Sequence, residues 1–328
     1  MNRGKHKFRL PLALLITMAS LMLSSSVTLP EKASSGKDNN LKGLRPETDM
    51  LIIPLKNAGR IYMIEAIIDN QQGNLIFDTG ASDLVLNTTY FRKYLKKGTS
   101  DPAGITGSAG LAERITTSNM IVSGLRYSNA TALISNLSHI ENRYGVKVLG
   151  LFGFSLLKDF EVVIDIHNNE LRIYRIDSRG NRTSVSDNAF RGDHSQNIEE
   201  SGNIVFISGT VGGKTMKFCL DTGAETNAVD LSCPEKVLQS IALRSAAKLS
   251  GSGTSKSEVL VGKMDELRLG NYSLRNMTTI ITRLDALENA YGQMMDGILG
   301  YDFLTRGPVC VNFVKMQMEM KILKEEQK

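Results

Sequence analysis

Two aspartates, Asp78 and Asp221, each end an apolar run and each open the tripeptide Asp-Thr-Gly. The first run reads Leu75-Ile76-Phe77-Asp78-Thr79-Gly80-Ala81. The second reads Phe218-Cys219-Leu220-Asp221-Thr222-Gly223-Ala224, at an offset of 143 residues. Two carboxylates brought together cannot both ionise cheaply, because each charge raises the cost of the other. One keeps its proton, and the pair then offers an acid and a base in a single site. That chemistry is sufficient to hydrolyse a peptide bond with no metal, organic cofactor or covalent nucleophile. No metal site is expected, since His6, His139, His167 and His194 are scattered without ligand spacing.

A second layer of pattern surrounds the two tripeptides. Thr106-Gly107-Ser108-Ala109-Gly110 lies against Ser250-Gly251-Ser252-Gly253-Thr254 at an offset of 144. Asn129-Ala130-Thr131-Ala132-Leu133-Ile134 lies against Asn276-Met277-Thr278-Thr279-Ile280-Ile281 at an offset of 147, as does Gly150-Leu151-Phe152-Gly153-Phe154 against Gly297-Ile298-Leu299-Gly300-Tyr301. The blocks keep their order with small insertions between them, so the body of the chain reads as an internal repeat.

The elements that must position these residues are mostly strands. Ile61–Ile68, Leu75–Phe77, Thr131–Ile134, Phe160–Ile166 and Glu170–Tyr174 are short runs rich in Val, Ile and Leu, bounded by Gly, Asn and Asp. Helical periodicity is confined to Thr89–Leu95 and Pro234–Leu249, with short helices expected at Ser155–Leu157 and Asp302–Leu304. Polar stretches at 27–45 and 178–200 read as linkers, which divides the body into units at 46–177 and 201–325.

At the N-terminus, Arg3, Lys5, Lys7 and Arg9 precede the apolar stretch Leu10–Leu23, short for a membrane span but suited to a secretory signal. Residues 1–26 are therefore expected to be a signal peptide or an uncleaved anchor, with the protein extracytoplasmic and any membrane tether confined to this end. Those four cations account for most of the net charge of +5, so no nucleic-acid partner is implied. Cys219, Cys233 and Cys310 are too few for a disulfide scaffold. Cys219 and Cys310 alternate with apolar neighbours as buried thiols do, and a Cys219–Cys233 bridge stays open.

These motifs resemble the aspartic proteases of the pepsin and retropepsin superfamily, with two lobes in one polypeptide, over about residues 46–325. In that family an Asp-Thr-Gly loop is paired in each lobe with a later apolar-apolar-Gly motif, here Leu151-Phe152-Gly153 and Ile298-Leu299-Gly300. The resemblance implies a mostly β fold of two pseudo-symmetric acid-protease lobes with an active-site cleft between them. It implies Asp78 and Asp221 as the catalytic pair and Thr79 and Thr222 as hydrogen-bonding across the interface. Gly80 and Gly223 then allow the tight turns, and Gly153 and Gly300 leave room beneath them. Peptide or protein is the implied substrate, and a monomer is sufficient because one chain supplies both aspartates.

Two departures from pepsins refine this. Ala81 and Ala224 stand where pepsins carry Ser or Thr, and loss of a hydroxyl beside the pair should raise its pKa values. Activity is therefore expected nearer weakly acidic or neutral pH. Gly-rich segments in both halves, with Gly107, Ser108 and Gly110 in one and Gly251 and Gly253 in the other, are candidate flaps over the substrate, and neither contains Tyr. Paired flaps of this kind resemble a retropepsin dimer fused into one chain. Glu225, which follows Ala224, is expected to pair with a local cation. The alternative to an endopeptidase is a catalytically weak or inactive peptide-binding protein that keeps the fold.

Overall fold

Apolar runs that are buried on both faces need partners on both edges, and the chain supplies them by interleaving strands distant in sequence. The computed structural model describes residues 43–44, 49–95, 99–100, 103–104, 107–108, 112–184, 190–250 and 256–323, and the protein is mostly β. In the first half, Ile61–Ile68, Gln71–Phe77, Val148–Phe152, Val85–Asn87 and Thr131–Ser135 lie side by side in that order. In the second half, Ile204–Val211, Lys214–Leu220, Gly297–Leu299, Asn227–Asp230 and Tyr272–Thr282 repeat the order.

The strand that ends in each apolar-apolar-Gly motif is wedged between two others. Leu151 pairs parallel with Ile76 and antiparallel with Val85. Its counterpart Ile298 pairs parallel with Cys219 and antiparallel with Ala228. Where the wedge leaves the sheet, backbone meets backbone. A β-carbon on Gly153 would stand 2.4 Å from Asp83 O and 2.6 Å from Ala81 O, and one on Gly300 would stand 2.5 Å from Ala224 O and 2.8 Å from Thr226 O. Main-chain carbonyls held in these loops cannot swing aside as a side-chain end can. Gly153→Ala and Gly300→Ala are each expected to cost about 3 kcal/mol, read as a lower urea midpoint.

Polar side chains brace the two wedges in matching ways. Asn87 Oδ1 accepts from Thr89 N at 3.2 Å and Leu137 N at 3.3 Å. Asp230 does the same for Ser232 N and Leu284 N, both at 2.6 Å. Glu141 Oε1 accepts from Val148 N at 2.9 Å, and Glu288 Oε1 from Met295 N at 3.1 Å.

A third, six-stranded sheet joins the halves, in the order His194–Asn197, Gln317–Met320, Val309–Asn312, Phe160–Asp165, Glu170–Arg175, Met50–Pro54. At its centre Val162, Val163 and Ile164 pair with Val311, Cys310 and Val309. Val163 and Cys310 hold the same place in the two halves and stand directly opposite each other, as at a local two-fold axis.

Several expectations need correction. Pro234–Leu249 is not one helix: helix covers Glu235–Gln239, and Ile241–Ser250 is a strand paired along Lys256–Leu269. Cross-strand pairing with a long partner outweighs the local periodicity there. The helix expected over Thr89–Leu95 is the single turn Thr88–Phe91, capped by Asn87. Two helices were not anticipated, Ser138–Tyr144 and Asp285–Tyr291, each closed by a left-handed glycine, Gly145 and Gly292.

The 178–200 segment contributes His194–Asn197 to the joining sheet and begins the Glu199–Ser201 strand, and Gly43–Leu44 pairs with Tyr127 and Arg126. All three cysteines are free and buried. The apolar stretch Leu10–Leu23 lies outside the described residues, among which no helix is long and apolar enough to cross a membrane.

Candidate active site

The strands Gln71–Phe77 and Lys214–Leu220 deliver Asp78 and Asp221 to the junction of the halves. Each aspartate is tied to its own wedge, Asp78 N donating to Phe152 O at 3.2 Å and Asp221 N to Leu299 O at 3.0 Å. The next residues cross. Thr79 N donates to Thr222 Oγ1 at 3.0 Å, and Thr222 N to Thr79 Oγ1 at 2.9 Å. Thr79 Oγ1 donates onward to Leu220 O at 2.8 Å, and Thr222 Oγ1 to Phe77 O at 2.7 Å. Four buried hydrogen bonds thus lock one loop to the other with every group satisfied.

The glycines that follow bring the carboxyl groups together. Gly80 N donates to Asp78 Oδ1 at 3.0 Å and Gly223 N to Asp221 Oδ1 at 2.8 Å. A β-carbon on Gly80 would lie 2.6 Å from the carboxyl carbon of Asp221, and one on Gly223 would lie 2.6 Å from that of Asp78. Each glycine therefore makes room for the opposite half's carboxyl group.

Both aspartates are fully buried, as are Ala81 and Ala224. Burial pushes the Asp221 carboxyl up to about 6, against hydrogen bonds from Gly223 N–H, the Asp78 side chain, and the Ala224 and Gly80 N–H groups. Since the two side chains share a hydrogen bond, the titration belongs to the pair. Such a pair can hold one proton and one charge at weakly acidic pH. Among the described residues no three His, Cys, Asp or Glu side chains gather as a metal-binding group.

Residues 207–303 match the family model of aspartyl proteases. The matched segment contains Asp221-Thr222-Gly223 and Ile298-Leu299-Gly300, supports a peptidase, and sits in a β architecture consistent with an aspartic protease fold. Asp78 lies outside the match and is brought beside Asp221 by the crossing. A search of curated proteins finds no match to the chain.

Around this site lie residues that the motif reading missed. The helices Ser138–Tyr144 and Asp285–Tyr291 each send a terminal tyrosine to the other half's loop. Tyr291 OH donates to Gly80 O at 2.9 Å, while Tyr144 OH donates to Glu225 Oε1. Arg143 Nη2 reaches Glu225 Oε2 at 2.8 Å, so Glu225 is paired with a cation, from the opposite half. Burial raises the Glu225 carboxyl, and Tyr144, Arg143 and Arg60 oppose that. Arg60 Nη1 bonds Asp302 Oδ2 at 2.9 Å and Glu225 O at 3.2 Å, another tie between halves. A signal for the tyrosines was present: Glu141-Asn142-Arg143-Tyr144-Gly145 repeats as Glu288-Asn289-Ala290-Tyr291-Gly292 at the same offset of 147.

Of the candidate flap residues, Gly107 and Ser108 form a short strand paired with Ala103–Gly104. This pair of strands lies beside the Asp285–Tyr291 helix of the other half. Gly110, Gly251 and Gly253 lie outside the described residues. The ladder leading to the second candidate flap runs as far as Ser250 opposite Lys256.

Proposed function

We propose that the protein is an aspartic endopeptidase whose Asp78 and Asp221 jointly activate a water for attack on a peptide carbonyl. The observation that carries this reading is the reciprocal approach of Gly80 to the Asp221 carboxyl and of Gly223 to the Asp78 carboxyl. Two buried acids approaching each other in this way support a reading in which both act on one reacting group. The ionised member takes a proton from the water, and the protonated member donates a hydrogen bond to the scissile carbonyl. Thr79 and Thr222 hold the distance between them, and the Gly80 and Gly223 N–H groups favour the singly charged state.

The substrate in this reading is an extended peptide, held by strand-like main-chain hydrogen bonds between the loops and the hairpins above them. The matching strand orders and the matching braces at Asn87 and Asp230 support two lobes, at 46–177 and 201–325, derived by duplication within one chain. Placement outside the cytoplasm belongs to the same proposal and rests on the basic and apolar N-terminus.

The pH dependence follows from burial. The pair works with one proton bound, and the carboxyl pushed up to about 6 marks where that proton is lost. Activity is expected to fall as pH rises through about 6 and to persist well below it. A screen of diverse peptides from about pH 3 to 8, with and without a pepstatin-type inhibitor, tests both function and profile against the usual range of such pairs. Inhibitor-sensitive cleavage with an upper limb near 6 is the expected result. Peptide binding without cleavage at any pH would assign the fold to a binding protein instead.

A further inference from the structure

Each loop that follows an Asp-Thr-Gly is pinned by the other half, and the two pins fall at different residues. The second loop is held at Glu225, whose carboxylate accepts from Tyr144 and Arg143 and whose backbone carbonyl accepts from Arg60. The first loop is held nearer its aspartate, at Gly80, whose carbonyl accepts from Tyr291 OH at 2.9 Å. The charges of the second pin are not repeated at the first. There Ser82 stands for Glu225, Ala290 for Arg143 and Asn203 for Arg60.

Gly80 is the residue at which such a hold bears on the dyad. Glycine has the widest backbone freedom of any residue, so its place in a loop depends on what grips its two polar groups. On one side Gly80 N donates to Asp78 Oδ1 at 3.0 Å and also reaches the Asp221 carboxyl. On the other side its carbonyl is fixed by Tyr291. Between them the α-carbon sits so close to the opposite acid that a β-carbon would lie 2.6 Å from the Asp221 carboxyl carbon. A pivot of this one residue would move a donor relative to both carboxyl groups at once.

Tyr291 is itself firmly held. It ends the Asp285–Tyr291 helix, which closes on the left-handed Gly292, and its backbone carbonyl accepts from Ser201 Oγ at 3.3 Å. Its ring is buried edge-on to Phe206, with centroids 6.2 Å apart, in a cluster with Leu287, Met295 and Cys219. Cys219, on the Lys214–Leu220 strand, and Tyr291 both face the two aspartates. Burial first, and then the carboxylates, push each of them well above its ordinary value. Tyr291 therefore stays a neutral donor wherever the pair titrates. Further along the loops, Glu225 is paired with Arg143, and Asp83 has Arg114 and Lys158 beside it.

Resting on the peptidase reading above, we propose that Tyr291 is a positioning residue for the pair, fixing the Gly80 carbonyl so that the Gly80 N–H stays aimed at both carboxyl groups. A donor aimed at a carboxylate favours its charged form. Tyr291 thus makes the single negative charge of the pair easier to hold, and it does so from one half only. The matching Tyr144 turns its hydroxyl to Glu225 instead.

The test is Tyr291→Phe, which keeps the ring and removes the donor. With the charged pair less well supported, the pH profile of kcat should move upward by about half to one pH unit, the scale of one hydrogen bond. At its own optimum the variant's kcat should fall about tenfold with KM little changed, because the hydroxyl acts on the aspartates and not on the substrate. A residue that served the fold alone would lower the amount of active protein and leave the profile in place. Tyr144→Phe, the matched change, should leave the upper limb near 6, where the parent has it. The same titration is read without substrate from the aspartate carboxyl carbons by NMR, with Asp78→Asn identifying the signals of the pair. Where Tyr291→Phe does not fold, a ring-fluorinated tyrosine at position 291 keeps the hydroxyl, donates more strongly and should move the limb downward. A profile that stays in place, or an equal shift with Tyr144→Phe, overturns the assignment of Tyr291 and leaves the peptidase reading standing. A shifted carboxyl titration in a protein that cleaves nothing upholds the role of Tyr291 and rejects the peptidase reading. Neither cleavage nor a shifted titration overturns both.

Discussion

Asp78→Asn and Asp221→Asn are each expected to abolish peptide hydrolysis, and Asp221→Asn is expected, at neutral pH, to make the protein more stable. An amide cannot take a proton from water, and the lost acid-base function is worth roughly 100- to 10,000-fold. The stability gain follows from the same burial. The Asp221 carboxyl moves from its ordinary value of 3.8 to about 6 in the folded protein, so the native state holds a proton that the unfolded chain releases. A raised acid makes the fold more stable below the unfolded value and progressively less stable as pH rises towards the folded value. The shift corresponds to a penalty on the order of 3 kcal/mol above pH 6, absent below pH 4. Asparagine carries no such penalty. Urea unfolding of Asp221→Asn at pH 4 and pH 7 should show a gain over the parent only at pH 7. Equal changes at both values would mean that the folded pair carries no strained charge.

The second large effect is expected at the crossing. Thr222→Val keeps the shape of the side chain but leaves Phe77 O without its donor and Thr79 N without its acceptor, both in the interior. Each unpaired group costs about 1–3 kcal/mol, giving roughly 2–6 kcal/mol in all. That is a large part of the 5–15 kcal/mol typical of folded domains. Thr79→Val removes the symmetric pair, to Leu220 O and from Thr222 N. Because the four bonds form one network, the double variant should cost less than the sum of the singles. Thr222→Ser keeps the hydroxyl and should restore most of the stability. Turnover should fall with stability in the valine variants, since the threonines set the separation of the aspartates. If unfolding midpoints of the valine variants match the parent, the crossing is not what holds the loops in register.

Much of this was readable because the chain presents its pattern twice. A single Asp-Thr-Gly is an ordinary turn sequence. Paired with Leu151-Phe152-Gly153 and Ile298-Leu299-Gly300 at matching places, it pointed to the wedge strands and the glycines beneath them. The reading failed where pairing partners decide structure. Ile241–Ser250 has helix-compatible spacing and is a strand because Lys256–Leu269 lies alongside it. The short helices Ser138–Tyr144 and Asp285–Tyr291 carry weak periodicity of their own. They are held by Glu141 and Glu288 bonds to the following strands and by glycine caps, signals that become legible only when the repeats are laid side by side.

The sequence by itself determined the two carboxylates, the threonines and glycines beside them, and the mostly β framework, because these follow from residue type and from the repetition of local pattern. Only the tertiary structure decided how the halves meet. It put the opposite carboxyl group beside each glycine and sent Tyr291 to Gly80 and Tyr144 to Glu225. Those contacts join residues 81 to 211 positions apart. No local propensity encodes them, since they arise from packing segments that are distant in sequence.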